Sequence, residues 1–505
     1  MTHFALTTES PCDILYIHPA KQETTARYDQ FVSSSPYAFM PVGVVGLLNL
    51  LRAQGWSVSA LNLPLELLRQ PTFDFNAWLR ARPRPQLVLI DLHWYEHCFG
   101  ALEVARAVKG LWPYVPIALG GLTASHFARE ILEFSPDIDY IIRGDAEEPL
   151  RRLANLYCAS GAAPLDRIPN LTYRERGKVH ETPLRYTATA ADLDALDFVA
   201  TDWLLHQAEY AALQYAGAGV IALQAPRLKG HWLSIGRGCV FDCIFCGGGR
   251  DAHARLAERA GLVLRTPGRV VADIARLQAE GYHQVSLSLD PAMTPPAYWR
   301  KLFALLRQWG VRVGLYNEFF QLPSNEFLEA FVAAADLAHT EVALSPLSGN
   351  EGVRRRNGKF FTNERLQRVL EILRAHRIPI FVYFSLNLPG ETPTTFAETL
   401  ALAEQIGALY PHDLLRMLNS CHTLDPASPL TRTPADDIQV HYRTFHDYYM
   451  YCKGTAWQPR LVTRGQHRGY EMRGRPATVV EQMAQQWDAF ASRQGFRCYP
   501  VPRGW

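Results

Sequence analysis

The sequence predicts an α/β protein with two domains in tandem and a helical C-terminal segment. Three observations carry this. Before residue 158, five short apolar runs alternate with amphipathic segments. The same rhythm returns after residue 231, and the stretch between the two has no clear period. The expected division is therefore 1–158, a linker at 159–230, a second β/α domain at 231–435 and a helical cap at 436–505. A chain of 505 residues is too long for one core, and at ~150 residues per domain about three units are expected. With 48% hydrophobic and 20% charged residues, wholesale disorder is excluded. Lys+Arg 51 against Asp+Glu 49 leaves a net charge of +2, which supplies no field for nucleic acid or an anionic membrane. The longest mostly apolar stretch, 39–51, is shorter than the ~18 residues a membrane helix needs. The first residues lack a charged n-region and an h-region, so a cytoplasmic location is expected. The nine cysteines then read as reduced thiols, some of them free for metal or catalytic work.

In the first domain, strands are expected at 14–17, 56–61, 87–90, 116–120 and 138–142, with helices at 41–53, 99–110 and 125–133. Strands alternating with helices imply a parallel, doubly wound (Rossmann-like) sheet covered on both faces, with ligands at the carboxyl ends of the strands. The loops at those ends begin with His18-Pro19, with Asp91-Leu92-His93-Trp94, with Gly120-Gly121 and with Gly144-Asp145-Ala146-Glu147. Gly120-Gly121 either lets a ligand approach the backbone or serves only the turn. In the linker, 171–179 reads as a small hairpin around Gly177, and 191–196 as a short acidic connector.

A short strand then leads into Gly238-Cys239-Val240-Phe241-Asp242-Cys243-Ile244-Phe245-Cys246-Gly247-Gly248-Gly249. Three cysteines at Cys-x3-Cys-x2-Cys can wrap three thiolates around one face of a 4Fe–4S cube and leave one iron open. A structural zinc site needs four ligands, and neither His231 nor His253 completes a standard spacing. A disulfide would leave one cysteine unmatched. Further strands are expected at 284–289, 311–316, 341–344, 378–384 and 414–418, with helices at 363–376 and 394–406, the latter capped by Thr394 or Thr395. Polar residues at successive strand ends suit a barrel with its site at the carboxyl face.

The three-cysteine motif, with Phe245 in the aromatic position before the last cysteine, is the signature of the radical S-adenosylmethionine (SAM) family. The N-terminal loops, taken in order, resemble the cobalamin-binding domain fused to many of its members. Segments 388–392 and 425–430 also look like that family, so the resemblance covers roughly 12–435. It implies a partial (βα)6 barrel, a 4Fe–4S cluster on Cys239, Cys243 and Cys246, SAM on the open iron, and cobalamin over the first sheet. Cobalamin contacts are expected from His18, Pro19, Asp91, His93, Gly120, Gly121, Gly144 and Glu147. Strand one lacks the Asp-x-His-x-x-Gly of the mutases, so no histidine is expected on cobalt. For SAM, the resemblance implies Phe245, Ser288, Asp290, Glu318, Ser345, Asn387 and Leu388. One of Arg354, Arg355, Arg356 and Lys359 is expected on its carboxylate, the alternative being a solvated basic turn. An external electron donor such as flavodoxin or ferredoxin and a small-molecule substrate are expected, with no nucleic acid and no membrane.

In the last 70 or so residues, helices are expected at 440–451 and 479–490. Tyr448, Tyr449, Cys421 and Cys498 are the candidate catalytic residues, the tyrosines either on a lid or in the core of a cap. Three functions stay open. The first is cobalamin-dependent methyl transfer to an unactivated carbon or phosphorus. The second is radical SAM chemistry without methyl transfer: a ring rearrangement, or 3-amino-3-carboxypropyl transfer to a soft acceptor such as trivalent arsenic held by Cys421, Cys452 or Cys498. The third is a non-catalytic cobalamin-binding protein, against which the intact cysteine motif argues.

Overall fold

In a computed structural model, residues 12–25, 38–159, 164–216, 228–421, 424–456 and 469–496 are described. The chain divides into two compact units. One comprises Met1–Gln207, Ala254–Arg259 and Arg443–Gln458; the other comprises Ala208–His253, Ala260–Tyr442 and Pro459–Trp505. Among the described residues no helix is long and apolar enough to cross a membrane.

The first unit is built on seven strands: β1 (Ile14–His18), β2 (Val58–Asn62), β3 (Leu87–Asp91), β4 (Ile117–Gly120), β5 (Tyr140–Ile142), β6 (Leu171–Glu175) and β7 (Lys178–Glu181). Their order is β2-β1-β3-β4-β5-β6-β7. The first five are parallel, and the chain reverses direction across the sheet between β1 and β3. That switch point is where doubly wound sheets bind ligands. β1 and β3 are buried along their whole length, as strands covered on both faces must be, whereas the edge strand β2 is only half-buried at its start. The helix expected at 125–133 is broken into Leu122–His126 and Ala128–Phe134 at Phe127.

The stretch expected as a linker belongs largely to this unit. Arg176 and Gly177 both have positive φ, +51° and +76°, as a two-residue hairpin turn matching the strand twist requires. The hairpin adds β6 and β7 antiparallel to β5. Asn49 then holds the following segment: its Nδ2 donates to the carbonyls of Asp197 and Ala200 at 2.9 Å, and its Oδ1 accepts from Trp203 Nε1 at 3.0 Å. The helix Phe445–Thr455, from near the C-terminus, also belongs to the first unit. The segment 436–505, expected as one cap, is thus divided between the units.

The second unit contains β8 (Gly230–Ser234), the short pair β9 (Gly236–Arg237) and β10 (Val263–Leu264), then β11 (Gln284–Ser288), β12 (Gly314–Phe319), β13 (Glu341–Leu347), β14 (Ile380–Leu386) and β15 (Leu415–Cys421). Its six-stranded sheet has the order β15-β14-β13-β12-β11-β8, every neighbour parallel, with helices between successive strands. This is the partial (βα)6 barrel. The strand expected at 311–316 starts three residues later, at Gly314. There a Cβ would sit 2.2 Å from the His339 carbonyl, so only glycine fits. Thr392, rather than Thr394 or Thr395, caps the helix Pro393–Leu409: it accepts the Thr395 N–H at 3.2 Å, and Pro393 takes the first helical position. The chain then forms the antiparallel pair β16 (Ile438–Val440) and β17 (Tyr470–Met472) and the helix Ala477–Gln494, whose Trp487 packs on Phe384 of β14.

Candidate functional site

In the second unit, Tyr316, Ala343, Phe381 and Leu418 form one cluster with Trp232 and Tyr383, which fills the barrel. Side chains two residues further on share a strand face, so Ser234, Glu318 and Ser420 point the same way, one step nearer the carboxyl ends, while Ser345 lies at a β-bulge after Leu344. An apolar floor under a polar rim is the arrangement a strand-end site requires.

The cysteine loop joins β9 to the helix Arg250–Ala257, and contacts on every side fix it. Arg265, fully buried, donates to the Ser234 carbonyl at 2.9 Å and to Asp273 Oδ2 at 2.5 Å, which fixes the end of β8. Phe245 packs on Leu347, Val353 and Leu388. Asp425 Oδ2 accepts the Gly247 N–H at 2.8 Å, and the Leu430 N–H donates to the Ile244 carbonyl at 2.8 Å, so segment 425–430 clasps the loop. Gly358, at φ +89°, lies against Cys243; a Cβ there would sit 2.7 Å from Cys243 Cα and 3.2 Å from its Sγ.

The sulfurs themselves are arranged as ligands. Cys239 Sγ accepts the Phe241 N–H at 3.4 Å, and Cys246 Sγ accepts the Gly248 N–H at 3.3 Å. Burial pushes all three thiols up, Cys246 to about 12, and each feels the charge of another cysteine or of a nearby ion. Three soft donors converging in one loop, two of them bonded by backbone amides, fit a 4Fe–4S cluster.

Around this loop the structure gathers several of the expected SAM residues. Lys359, next to Gly358, donates from Nζ to the Phe320 carbonyl at 2.6 Å and to Ser345 Oγ at 3.3 Å. Burial lowers its pKa, while Cys243, Asp290, Cys246 and Cys239 pull it back up. Asp290 accepts from the Phe320 and Ala292 N–H groups, each at 2.8 Å, and from Asn317 Nδ2 at 3.2 Å. Burial nevertheless raises its pKa to about 6. Ser288 is half-buried at the last position of β11. Glu318 is exposed and accepts the Tyr316 hydroxyl at 2.9 Å. Leu388 is buried against Phe245. Asn387 has φ +63°, and its backbone N–H donates to Glu391 Oε2 at 2.9 Å. Its carbonyl accepts the Tyr470 hydroxyl at 2.6 Å, and its buried Nδ2 has no protein partner.

Other expected residues have different work. Arg354 is fully buried and donates to the carbonyls of Pro346, Ser348 and Phe361 and to Asn363 Oδ1, so its guanidinium is spent on holding the turn after β13. Arg355 and Arg356 are exposed, and Arg356 pairs with Asp437. Cys421 shares the β15 face of Met417 and Asn419, opposite Leu418 and Ser420. Cys498 lies outside the described residues. Asp425, Gly358 and Asn317 were not singled out in the sequence. Only Asp425 had a signal there, since it opens the segment 425–430.

In the first unit, His18 and Pro19 are buried at the end of β1, and Asp91 at the end of β3. His18 Nδ1 lies 2.8 Å from Asp91 Oδ1, which also accepts the Tyr16 hydroxyl at 2.6 Å. His93 is half-buried, its ring 4.9 Å from that of Trp94. Gly120 faces open space: a Cβ would meet only the Ile142 carbonyl oxygen, at 3.8 Å. At φ +114°, the missing Cβ of Gly121 makes room for the His93 backbone, 2.6 Å away. Gly144, at φ +63°, likewise makes room for Leu256 and Ala257, and Glu147 is buried in the first turn of the helix Glu147–Cys158. The opening at Gly120 beside His93 and Trp94, at the strand ends, fits a flat ligand over the sheet. Tyr448 and Tyr449 are core residues of this unit: Tyr448 packs on Tyr95 and Phe127, and Tyr449 on Phe99 and Phe134.

The comparisons agree with this division. Residues 30–154 match the B12 binding domain family, and residues 233–403 match the Radical SAM superfamily. The chain is 25% identical over 380 residues to the anaerobic magnesium-protoporphyrin IX monomethyl ester cyclase of Cereibacter sphaeroides, covering 72% of this chain and 55% of that protein. It is 24% identical over 256 residues to the hopanoid C-3 methylase of Methylococcus capsulatus, covering 48% and 43%. The chain spans about half the length of the curated relatives it matches. Among solved structures, the radical S-adenosylmethionine methyltransferase TsrM from Kitasatospora setae, with cobalamin and a 4Fe–4S cluster bound, superimposes with a TM-score of 0.65. The identity is 16%, covering 95% of this chain and 91% of that one. The two matches fall in the order the residues implied: the chain carries a B12 binding domain followed by a Radical SAM superfamily domain.

Proposed function

We propose that this protein cleaves SAM reductively at a 4Fe–4S cluster held by Cys239, Cys243 and Cys246, and that, with cobalamin on the first unit, it methylates an unactivated carbon or phosphorus of a small molecule. The observation that carries the reading is the cysteine loop, fixed by Asp425, Phe245 and Gly358, with two of its sulfurs accepting backbone N–H groups. Methyl transfer is favoured over other radical SAM chemistry by the names of two similar proteins, TsrM and the hopanoid C-3 methylase. When bound, the cluster supplies the electron that breaks a carbon–sulfur bond of SAM, and cobalamin supplies a methyl carrier.

The chain's own residues bind and orient. Lys359, held by Phe320 and Ser345, presents a cation beside the cysteines and suits the SAM carboxylate. The Nδ2 of Asn387, buried without a protein partner, is a donor left for the bound nucleoside. Glu318 on the inward strand face and Ser345 beside Lys359 suit ribose hydroxyls. The electron comes from an external low-potential donor of the flavodoxin or ferredoxin kind. The test is anaerobic reconstitution followed by product analysis. The chain is expected to carry about four irons, and the Cys239→Ala/Cys243→Ala/Cys246→Ala variant about none. S-adenosylhomocysteine as a SAM product supports methyl transfer. Methylthioadenosine as the main product would replace it with aminocarboxypropyl transfer, and 5′-deoxyadenosine alone with a rearrangement.

A further inference from the structure

The first unit holds a buried group of side chains, two of which, His18 and Asp91, the family resemblance implied as cobalamin contacts and the proposed function leaves without a stated role. His18 ends β1, Asp91 ends β3, and His97 closes the 3-10 turn Tyr95–His97 that follows β3. All three are buried: His18 and His97 fully, and Asp91 at 5% exposure. Each offers one donor atom, and those atoms lie within 4.8 Å of one another. The two imidazole rings meet edge to face, with centroids 5.0 Å apart. We propose that His18, Asp91 and His97 hold a divalent first-row transition-metal ion, such as Zn2+ or Fe2+, at the switch point of the first sheet.

Several observations converge on the site. Its chemistry is two imidazoles and one carboxylate, a set that suits zinc or ferrous iron and not calcium or magnesium. Its geometry is compact: the donor atoms lie within 4.8 Å of one another, and side-chain shifts of about an ångström bring them to the ~3.4 Å spacing of a tetrahedral set. Its carboxylate is already supported. Asp91 Oδ1 accepts the Tyr16 hydroxyl at 2.6 Å, an outer hydrogen bond of the kind that orients metal ligands, and lies 2.8 Å from Nδ1 of its fellow ligand His18. The other oxygen, Asp91 Oδ2, is buried with no hydrogen-bond partner in the protein. A network of hydrogen bonds alone leaves that anionic oxygen unsatisfied, whereas a cation satisfies it. The position itself, at the carboxyl ends of β1 and β3, is where a doubly wound sheet binds ligands.

The test uses the full chain with its iron–sulfur cluster reconstituted, dialysed against buffered Zn2+, with zinc and iron counted in the same sample. One zinc per chain is expected. His97→Gln and Asp91→Asn are expected to weaken zinc binding at least 100-fold, and Tyr16→Phe about tenfold, since it removes only the outer hydrogen bond. Co2+ in place of zinc is expected to give visible absorption bands in the unsubstituted chain that His97→Gln abolishes, with far-ultraviolet circular dichroism checking that the variant is folded. The proposal is overturned if the unsubstituted chain binds no zinc, or if folded His97→Gln binds it as tightly. It is equally overturned if the zinc vanishes in the Cys239→Ala/Cys243→Ala/Cys246→Ala variant, or if His97→Gln changes the axial-ligand spectrum of bound cobalamin and not zinc binding. The iron count reports separately on the cluster, so its failure and that of the zinc site are told apart.

Discussion

At the scale of single residues, the cysteine loop depends on two neighbours that are not ligands. Gly358 combines φ +89° with a Cβ position that overlaps Cys243. A side chain there is strained by ~1–3 kcal/mol from the backbone alone, before the clash is counted. Gly358→Ala is therefore expected to lower the melting temperature by several degrees and to reduce the iron retained after reconstitution. Unchanged iron content would mean that the loop tolerates displacement of Cys243. Asp425 acts from the other side through the Gly247 N–H. Removing a hydrogen bond to a charged group costs about 1.5–3 kcal/mol, so Asp425→Ala is expected to lose cluster iron faster under chelation, with the second unit still folded. Chelation kinetics matched to the unsubstituted chain would show that the clasp is dispensable.

At the scale of elements, the end of β14 carries a buried acid whose titration tunes stability. Burial raises the Glu391 carboxyl from 4.5 to about 7, against the opposing Arg475 charge and the backbone amides of Leu388 and Asn387. The folded state therefore holds this proton more tightly than the unfolded chain. The stability linked to it is full below about pH 4.5 and is lost as the pH rises through 7, by ~3 kcal/mol in total. Asp290, raised by burial to about 6, adds a loss of the same sign at lower pH. Glu391→Gln is neutral at every pH. Urea unfolding at pH 5 and pH 8 is expected to show a smaller drop in this variant than in the unsubstituted chain, with the Asp290 part remaining. Equal drops would place the titration elsewhere.

At the scale of the whole molecule, the C-terminal region serves both units. The helix Phe445–Thr455 is part of the first unit: Cys452 Sγ donates to the Tyr95 carbonyl at 3.0 Å, and the Phe445 N–H donates to Glu130 Oε2 at 2.6 Å. The helix Ala477–Gln494 covers β14 in the second unit. A truncation from residue 443 onward is thus expected to unfold part of the first unit, not merely to open a lid. Tyr448→Ala isolates the packing role. Deleting a fully buried aromatic side chain costs about 3–5 kcal/mol, while the cluster iron should be unaffected. A loss of turnover in this variant with no loss of stability would restore a catalytic role to Tyr448.

The sequence by itself determined the order of the two folds, the three-cysteine motif and most strands. Those features are local: a period of two or of 3.6, or a spacing within one loop, is written in consecutive residues. Through its family resemblance it also marked Lys359 and Asp290. The tertiary structure alone decided which basic residue is committed to holding a backbone turn. Arg354 and Lys359 look alike in sequence, but only Arg354 is surrounded by backbone carbonyls drawn from three separate residues. It also decided why Gly121 is glycine, since the atom that would clash belongs to His93 on another loop. The pairing of His18 with Asp91, 73 residues apart, was out of reach for the same reason. Which strand ends become neighbours is fixed by the β2-β1-β3 order of the sheet, and that order is a property of the packed chain and not of any local run of residues.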